Sequence, residues 1–231
     1  MKILVACEES QIVCAAFRAK GHDAYSCDIQ EPTGGHPEWH ILGDVLPILN
    51  GNCSFFTMNG EERHINGNWD MIIAHPPCTY LSIAGNHCYS LRLNPAEKVH
   101  ARIKCRDDAA TFFMHFVNAD CERICIENPV GYMNTHYRKP DQIIHPYYFA
   151  KDENDKENYQ LKRTCLWLKN LPLLIYDKPR SKPEPLYSTK ERGRKIYWTE
   201  GVRCSKGKKT SAQVRSKTFT AIANAMAEQW G

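Results

Sequence analysis

The chain has 231 residues, 42% hydrophobic and 24% charged, a balance that excludes a disordered or fibrous protein and suits one α/β domain with a full core. No apolar run approaches the ~18 residues of a membrane span, and the opening Met1-Lys2-Ile3-Leu4-Val5-Ala6 lacks the regions of a secretory signal, so a cytoplasmic location is expected. The net charge of +4 is uneven: between Tyr176 and Lys217, 13 Lys and Arg stand against 4 Asp and Glu, a basic segment that points to a polyanion.

Residues 2–6 read as a buried strand. Ile12, Val13, Ala16 and Phe17 share one face of a helix over Gln11–Lys20, which Gly21 ends. Residues 23–29 read as a second strand, completing a βαβ opening. Residues 30–68 are rich in Gly, Pro and Asn, and the Asn59-Gly60 and Asn66-Gly67 pairs predict a hairpin within Cys53–Asn68. Residues 71–74 form the next strand. Asn94-Pro95-Ala96-Glu97 predicts a helix start, with Asn94 as cap and Pro95 in the first position. Val99, Ile103, Ala110, Phe113 and Val117 follow at helical spacing. Residues 123–126 and 164–168 read as strands, and 132–160 as irregular. Phe219, Ile222, Ala223, Met226, Ala227 and Trp230 line a closing helix that starts near Thr218. Alternating strands and helices predict a mostly parallel sheet with helices on both faces.

Eleven cysteines without a C-x-x-C pair, and ten histidines away from zinc-ligand spacing, predict thiols rather than disulfides and no bound metal. Most of these cysteines suit small core positions. Cys78 differs. It follows the strand Met71–Ala74 through His75, Pro76 and Pro77, and Thr79, Tyr80 and Ser82 continue in a polar turn. The carboxyl ends of strands are where open α/β sheets bind ligands. A second apolar strand, Arg123–Ile126, ends in Glu127, Asn128 and Pro129. A thiolate that adds to carbon 6 of cytosine makes carbon 5 nucleophilic, and a carboxyl group at ring nitrogen 3 assists the addition. The plainer readings are a buried core thiol and a surface carboxylate capping a loop.

Pro77-Cys78-Thr79-Tyr80-Leu81-Ser82-Ile83-Ala84-Gly85 resembles the Pro-Cys-Gln-x-Phe-Ser-x-Ala-Gly motif of DNA cytosine-5 methyltransferases, and Glu127-Asn128-Pro129 resembles that family's Glu-Asn-Val. The order of the segments also agrees, and the chain resembles the short members encoded by phages and prophages. The resemblance implies a Rossmann-like S-adenosylmethionine-dependent methyltransferase fold, formed by residues 1–175 and 214–231. A basic insert, residues 176–213, stands in place of a target-recognition domain. It implies Cys78 as nucleophile, Glu127 as acid at nitrogen 3, and Arg163 as a further catalytic residue, since Lys162-Arg163-Thr164 resembles the family's base-contacting Gln-x-Arg-x-Arg.

The implied cofactor is S-adenosylmethionine. Its methionine end would meet Cys7, Glu8, Glu9 and Ser10, with free amides of the following helix on its carboxylate. Asp28 and Ile29 would take the ribose, Asp44 and Val45 the adenine, and Pro76 and Pro77 would line the same site, with Asn224 of the closing helix beside it. Ser82, Asn128, Pro129 and Lys162 would contact the substrate. Lys206, Lys208 and Lys209 would hold DNA phosphates, with Tyr187, Tyr197 and Trp198 filling the space left by a flipped base. A monomer is expected, with DNA as partner and neither membrane nor metal. Two departures stand out: Thr79 replaces the glutamine, and Ala6-Cys7-Glu8-Glu9-Ser10-Gln11 has no glycine where the family has Phe-x-Gly-x-Gly. Other readings stay open. His75-Pro76-Pro77-Cys78 also resembles the Asp/Asn-Pro-Pro-aromatic loop of amino methyltransferases acting on cytosine N4 or adenine N6. A nucleotide or RNA substrate and a non-catalytic DNA-binding protein are the remaining alternatives.

Overall fold

The computed structural model describes residues 1–177, 181–188, 193, 195–197 and 217–231. In chain order the elements are β1 (Lys2–Ala6), α1 (Ile12–Ala19), β2 (Asp23–Asp28), β3 (His40–Leu42), β4 (Cys53–Phe56), β5 (Glu62–Ile65), β6 (Met71–Ala74), α2 (Ala96–Val117), β7 (Ile124–Pro129), α3 (Met133–His136), β8 (Gln142–Ile144), β9 (Thr164–Lys169), β10 (Tyr187–Ser188), β11 (Lys195–Ile196) and α4 (Thr220–Trp230). Seven strands form one sheet in the order β3-β2-β1-β6-β7-β9-β8. The first five run parallel. β9 runs against both β7 and β8. The result is an α/β protein with a mostly parallel mixed sheet.

Period-2 alternation explains the layers. Ile3 and Val5 of β1, Met71 and Ile73 of β6, and Cys125 of β7 face α1 and α4, where they meet Val13, Phe17, Ile222, Met226 and Trp230. Leu4, Ala6, Ile72, Ala74, Ile124 and Ile126 face α2 and the β4–β5 hairpin, where they meet Phe113, Phe116, Phe55 and Trp69. Each central strand is apolar on both faces because each face is covered. Asn158, buried in the loop before β9, accepts bonds at Oδ1 from the Ala221 amide (2.9 Å) and the Thr220 hydroxyl (3.1 Å). A side chain 62 residues upstream of Thr220 thereby caps α4 and ties it to the sheet.

The β4–β5 hairpin stands where the Asn-Gly pairs predict it, with Gly60 left-handed at its turn. Three expectations need correction. α2 begins at Ala96 with Pro95 as its cap residue, because Asn94 turns back to donate to the carbonyls of His87 and Ser90. Residues 132–160 contain α3 and β8, and 30–52 contain β3. β3 and β8 have three residues each, too few to display a period, and proline-rich flanks mask them.

No helix among the described residues is long and apolar enough to cross a membrane. No group of three or more His, Cys, Asp or Glu among them is arranged to hold a metal ion. The basic insert contributes the β10–β11 ribbon, with Tyr187 opposite Ile196. Trp198, Lys206, Lys208 and Lys209 lie outside the described residues.

Candidate functional site

β1 lies between β2 and β6, so the chain leaves it toward one side and later resumes on the other. This is the topological switch point, and ligands bind in the crevice outside the carboxyl ends there. The registers put Ala6, Cys27, Ala74 and Ile126 on one line across the sheet. The residues just beyond them, Cys7, Asp28, His75 and Glu127, therefore share the edge of the crevice.

The first loop solves its lack of glycine by strain. Cys7 and Gln11 hold left-handed φ of 59° and 58°, a region that costs non-glycine residues of order 1 kcal/mol or more. Gln11 is locked there: its amide donates to the His36 carbonyl at 2.8 Å, and its Oε1 accepts from the His36 amide at 3.1 Å. Gly34 packs on it so closely that an added Cβ would stand 2.6 Å from the Gln11 Cβ. The glycine needed for this close approach sits in a neighbouring loop.

Glu8 is buried beneath this loop and accepts from the amides of Val13 (2.6 Å) and Cys14 (3.1 Å) and from the Ser10 hydroxyl. It caps α1 from within, so two of the amides expected to meet a cofactor carboxylate are already occupied. Burial pushes its carboxyl up, against the opposing influence of His75 and of these amides. Glu9 points elsewhere, accepting from the Thr33 hydroxyl at 2.8 Å. Ser10 is buried.

Asp28 closes β2. Its Oδ1 accepts from the Gln30 amide at 2.9 Å, and burial raises its carboxyl. Ile29 beside it is 78% exposed. Asp44 follows β3 and accepts from the Leu46 amide at 3.1 Å, while Val45 is buried in the core. Burial, Asp28, Cys27 and Asp44 all push the Cys7 thiol up. Asn224 is exposed on α4.

The two motif loops meet directly. Leu81 and Ser82 donate to the Cys78 carbonyl at 3.1 and 2.9 Å, which closes the turn and leaves the Cys78 side chain half-buried. The Ile83 amide then bonds the Val130 carbonyl (3.0 Å), the Tyr132 amide bonds the Leu81 carbonyl (2.7 Å), and Ser82 bridges Gly131. Asn128, 2% exposed, donates to the Pro76 carbonyl at 2.7 Å. The Pro-Cys loop and the Glu-Asn loop are therefore zipped backbone to backbone. Pro76 is buried and Pro77 exposed. The Ser82 hydroxyl caps the following 3-10 turn by accepting from Ala84.

Gly131 makes the zipper possible. A Cβ there would lie 1.9 Å from the Leu81 carbonyl oxygen. Gly131→Ala is expected to lower stability by about 1–3 kcal/mol, the usual cost of overpacking. It should also part the two loops, which thermal unfolding and Cys78 alkylation rates would register. An unchanged melting temperature would contradict this close approach.

Glu127 is 9% exposed and bonds His75, Oε2 to Nδ1, at 3.1 Å. Burial works to raise its carboxyl, but the His75 bond and the nearby Lys162 charge outweigh that and hold it below the ordinary value. Lys162 lies 5.6 Å from the Phe219 ring centroid. Arg163 is exposed next to Thr164, which pairs with Pro129 at the start of β9. Sequence reasoning missed one supporting group. Arg102 of α2 lies over the rings of Tyr80 and Tyr89 and donates to the Thr79 carbonyl, while Arg106 lies over Tyr89 and Tyr132. This cation–π ladder fastens the segment after Cys78 to α2. Its sequence signal is two arginines four apart beside tyrosines on both loops.

No protein-family model matches the chain. An alignment 100 positions long, covering 37% of this chain and 72% of the other protein, is 27% identical to Nanos homolog 2 from Homo sapiens. That degree of similarity does not show a family, and the function has to be argued from the site.

Proposed function

We propose that this protein transfers a methyl group from S-adenosylmethionine to carbon 5 of cytosine in DNA. The observation that carries the reading is the direct pairing of the Cys78 and Glu127 loops at the switch point. A half-buried thiol and a buried carboxylate thus sit on two loops joined backbone to backbone. Cys78 adds to carbon 6 as thiolate, and Glu127 attends ring nitrogen 3. A base inside a duplex cannot reach such a crevice, so the cytosine is flipped out of its stack.

The residues present suit the cofactor. Asp28 offers a carboxylate to ribose hydroxyls, and the bare Ile29 side chain beside it suits the face of an adenine ring. Asp44 stands at the next strand end. When bound there, the cofactor supplies the methyl group. The protein's own residues hold it and the base in one crevice and keep nitrogen 3 supplied with a proton. Arg163, exposed at the same edge, suits a phosphate of the substrate strand.

The amino-methyltransferase alternative gains no support. It needs an aromatic platform after the two prolines, where this chain has Cys78, and it would leave Glu127 idle.

Incubation with DNA and labelled S-adenosylmethionine, followed by mapping of modified cytosines, tests the proposal. Cofactor binding has its own readout. At about a hundredfold excess over its dissociation constant, S-adenosylmethionine should raise the melting temperature by roughly 5–10 °C. Asp28→Ala should shrink that rise without unfolding the protein. No shift at millimolar cofactor would remove the enzymatic reading.

A further inference from the structure

His75 is bound on one side only. Its backbone amide continues the β1–β6 ladder by bonding the Ala6 carbonyl at 2.9 Å, so the residue is fixed at the strand end. Its side chain is 8% exposed, and Nδ1 meets Glu127. Its Nε2 is buried without a hydrogen-bond partner among the described residues, and so is the Oδ1 of the adjacent Asn128. Buried polar atoms are normally paired, and an imidazole used as a structural strut would have both nitrogens satisfied. This one has Nδ1 committed to Glu127 and Nε2 uncommitted among the described residues.

From this geometry we infer that His75 is the proton store for Glu127: the two side chains hold one proton between them and deliver it to the ring nitrogen of the bound base. The inference rests on the cytosine-5 reading given above. It accounts for a difficulty in that reading. Glu127 is held as a carboxylate in the resting protein, and a carboxylate accepts hydrogen bonds but has no proton to give.

Counted from neutral imidazole and carboxylate, the pair holds one added proton between Nδ1 and Oε2, and Cys78 adds as its thiolate. As the sulfur–carbon 6 bond forms, the electron pair from the ring double bond makes nitrogen 3 basic. One proton leaves Nδ1 of His75, passes to the Glu127 carboxyl group, and goes on to nitrogen 3. Neutral imidazole and a carboxylate remain. Once carbon 5 carries the methyl group it gives up its hydrogen as a proton to water, the electron pair of that C–H bond re-forms the ring double bond, the sulfur leaves carbon 6 as thiolate, and the proton on nitrogen 3 returns to the pair.

The charged and titratable groups around the pair fit a shared proton. Glu8, from the loop after β1, feels the His75 charge. Lys162, ahead of β9, acts on Glu127 from the opposite side. The thiols of Cys125 on β7 and Cys165 on β9 also sense Glu127, and burial pushes both up so that they stay neutral. Lys162 opposes a second proton on Glu127.

His75 acts through Glu127 and is a positioning residue, so its test must exceed simple loss of activity. The pH dependence of kcat and KM should be compared for the wild-type protein and for His75→Asn, which keeps a donor toward Glu127 but cannot store a proton. The wild-type rate should fall on the alkaline side as the pair loses its proton. In His75→Asn that fall should move to lower pH. Near neutral pH, kcat should drop about tenfold or more, with KM for DNA changed by no more than roughly twofold. A parallel pH profile with a uniform loss would reduce His75 to a structural role and overturn the inference.

A second measurement does not depend on activity. The His75 imidazole of the wild-type protein, followed by nitrogen-15 NMR against pH, should titrate differently in Glu127→Gln. Identical titrations would also overturn the shared proton. If the wild-type protein methylates no cytosine, the enzymatic reading fails by itself, and the NMR comparison still decides whether the pair exists.

Discussion

Cys78→Ala is expected to abolish methyl transfer, by at least about 10³-fold, while the fold and cofactor binding persist. The side chain is only half-buried, and the turn that holds it is made by its backbone carbonyl. Alanine preserves that turn. Five of the other thiols among the described residues are shut away from solvent. Cys14, Cys27, Cys121, Cys125 and Cys165 are buried. Burial and the nearby Asp28 push Cys27 up to about 12, and burial raises the other four as well. A thiol so raised is protonated and inert. The decisive readout is covalent capture of DNA carrying 5-fluorocytosine. Fluorine at carbon 5 blocks release, so the thioether at carbon 6 persists in the wild-type protein. Cys78→Ala should give neither adduct nor product, yet keep the thermal shift with S-adenosylmethionine. Wild-type methylation by this variant would end the proposed mechanism.

Cys78 and Glu127 were legible because of what surrounds them. Each follows a short apolar run that becomes polar and proline-bearing, and such transitions mark the carboxyl ends of buried strands. Asp28 was legible for the same reason. Glu8 was not. Whether that carboxylate faces a ligand or caps α1 depends on the left-handed backbone at Cys7 and Gln11. Nothing in Cys-Glu-Glu-Ser-Gln announces that conformation, since glycine is its usual sign. Gly131 was passed over because its role is an approach to Leu81, 50 residues earlier in the chain, and close approach between loops leaves no local pattern.

His75 illustrates the same limit. In the sequence it belongs to the proline step before Cys78. Its chemistry comes from Glu127, 52 residues away, and only the alignment of β6 with β7 brings the two together. The short strands β3 and β8 were hidden by their length, although β6, β7 and β9, which carry the site, were all anticipated. Long apolar elements declare themselves, whereas pairings between strand ends belong to the assembled sheet.

Glu127→Gln is the second large effect expected. Glutamine keeps the shape and offers its own amide N–H to ring nitrogen 3, so binding of the base should persist. It cannot pass a proton from His75 to that nitrogen. Addition of Cys78 to carbon 6 then leaves negative charge on the ring without relief, and kcat should fall by a factor on the order of 10² or more, with little change in KM. The same substitution has a signature in stability. The Glu127 carboxyl lies below the ordinary value of 4.5 in the folded protein, because His75 and Lys162 outweigh the opposing cost of burial. A depressed folded value means that the charged form stabilises the fold above the ordinary value, and that this contribution is lost as pH falls through the folded one. The wild-type melting temperature should therefore decline more steeply than that of Glu127→Gln between about pH 5 and pH 3. Equal slopes would show that His75 and Lys162 do not hold the carboxylate as described. Unimpaired kcat with unequal slopes would leave the buried pair in place and take Glu127 out of the chemistry.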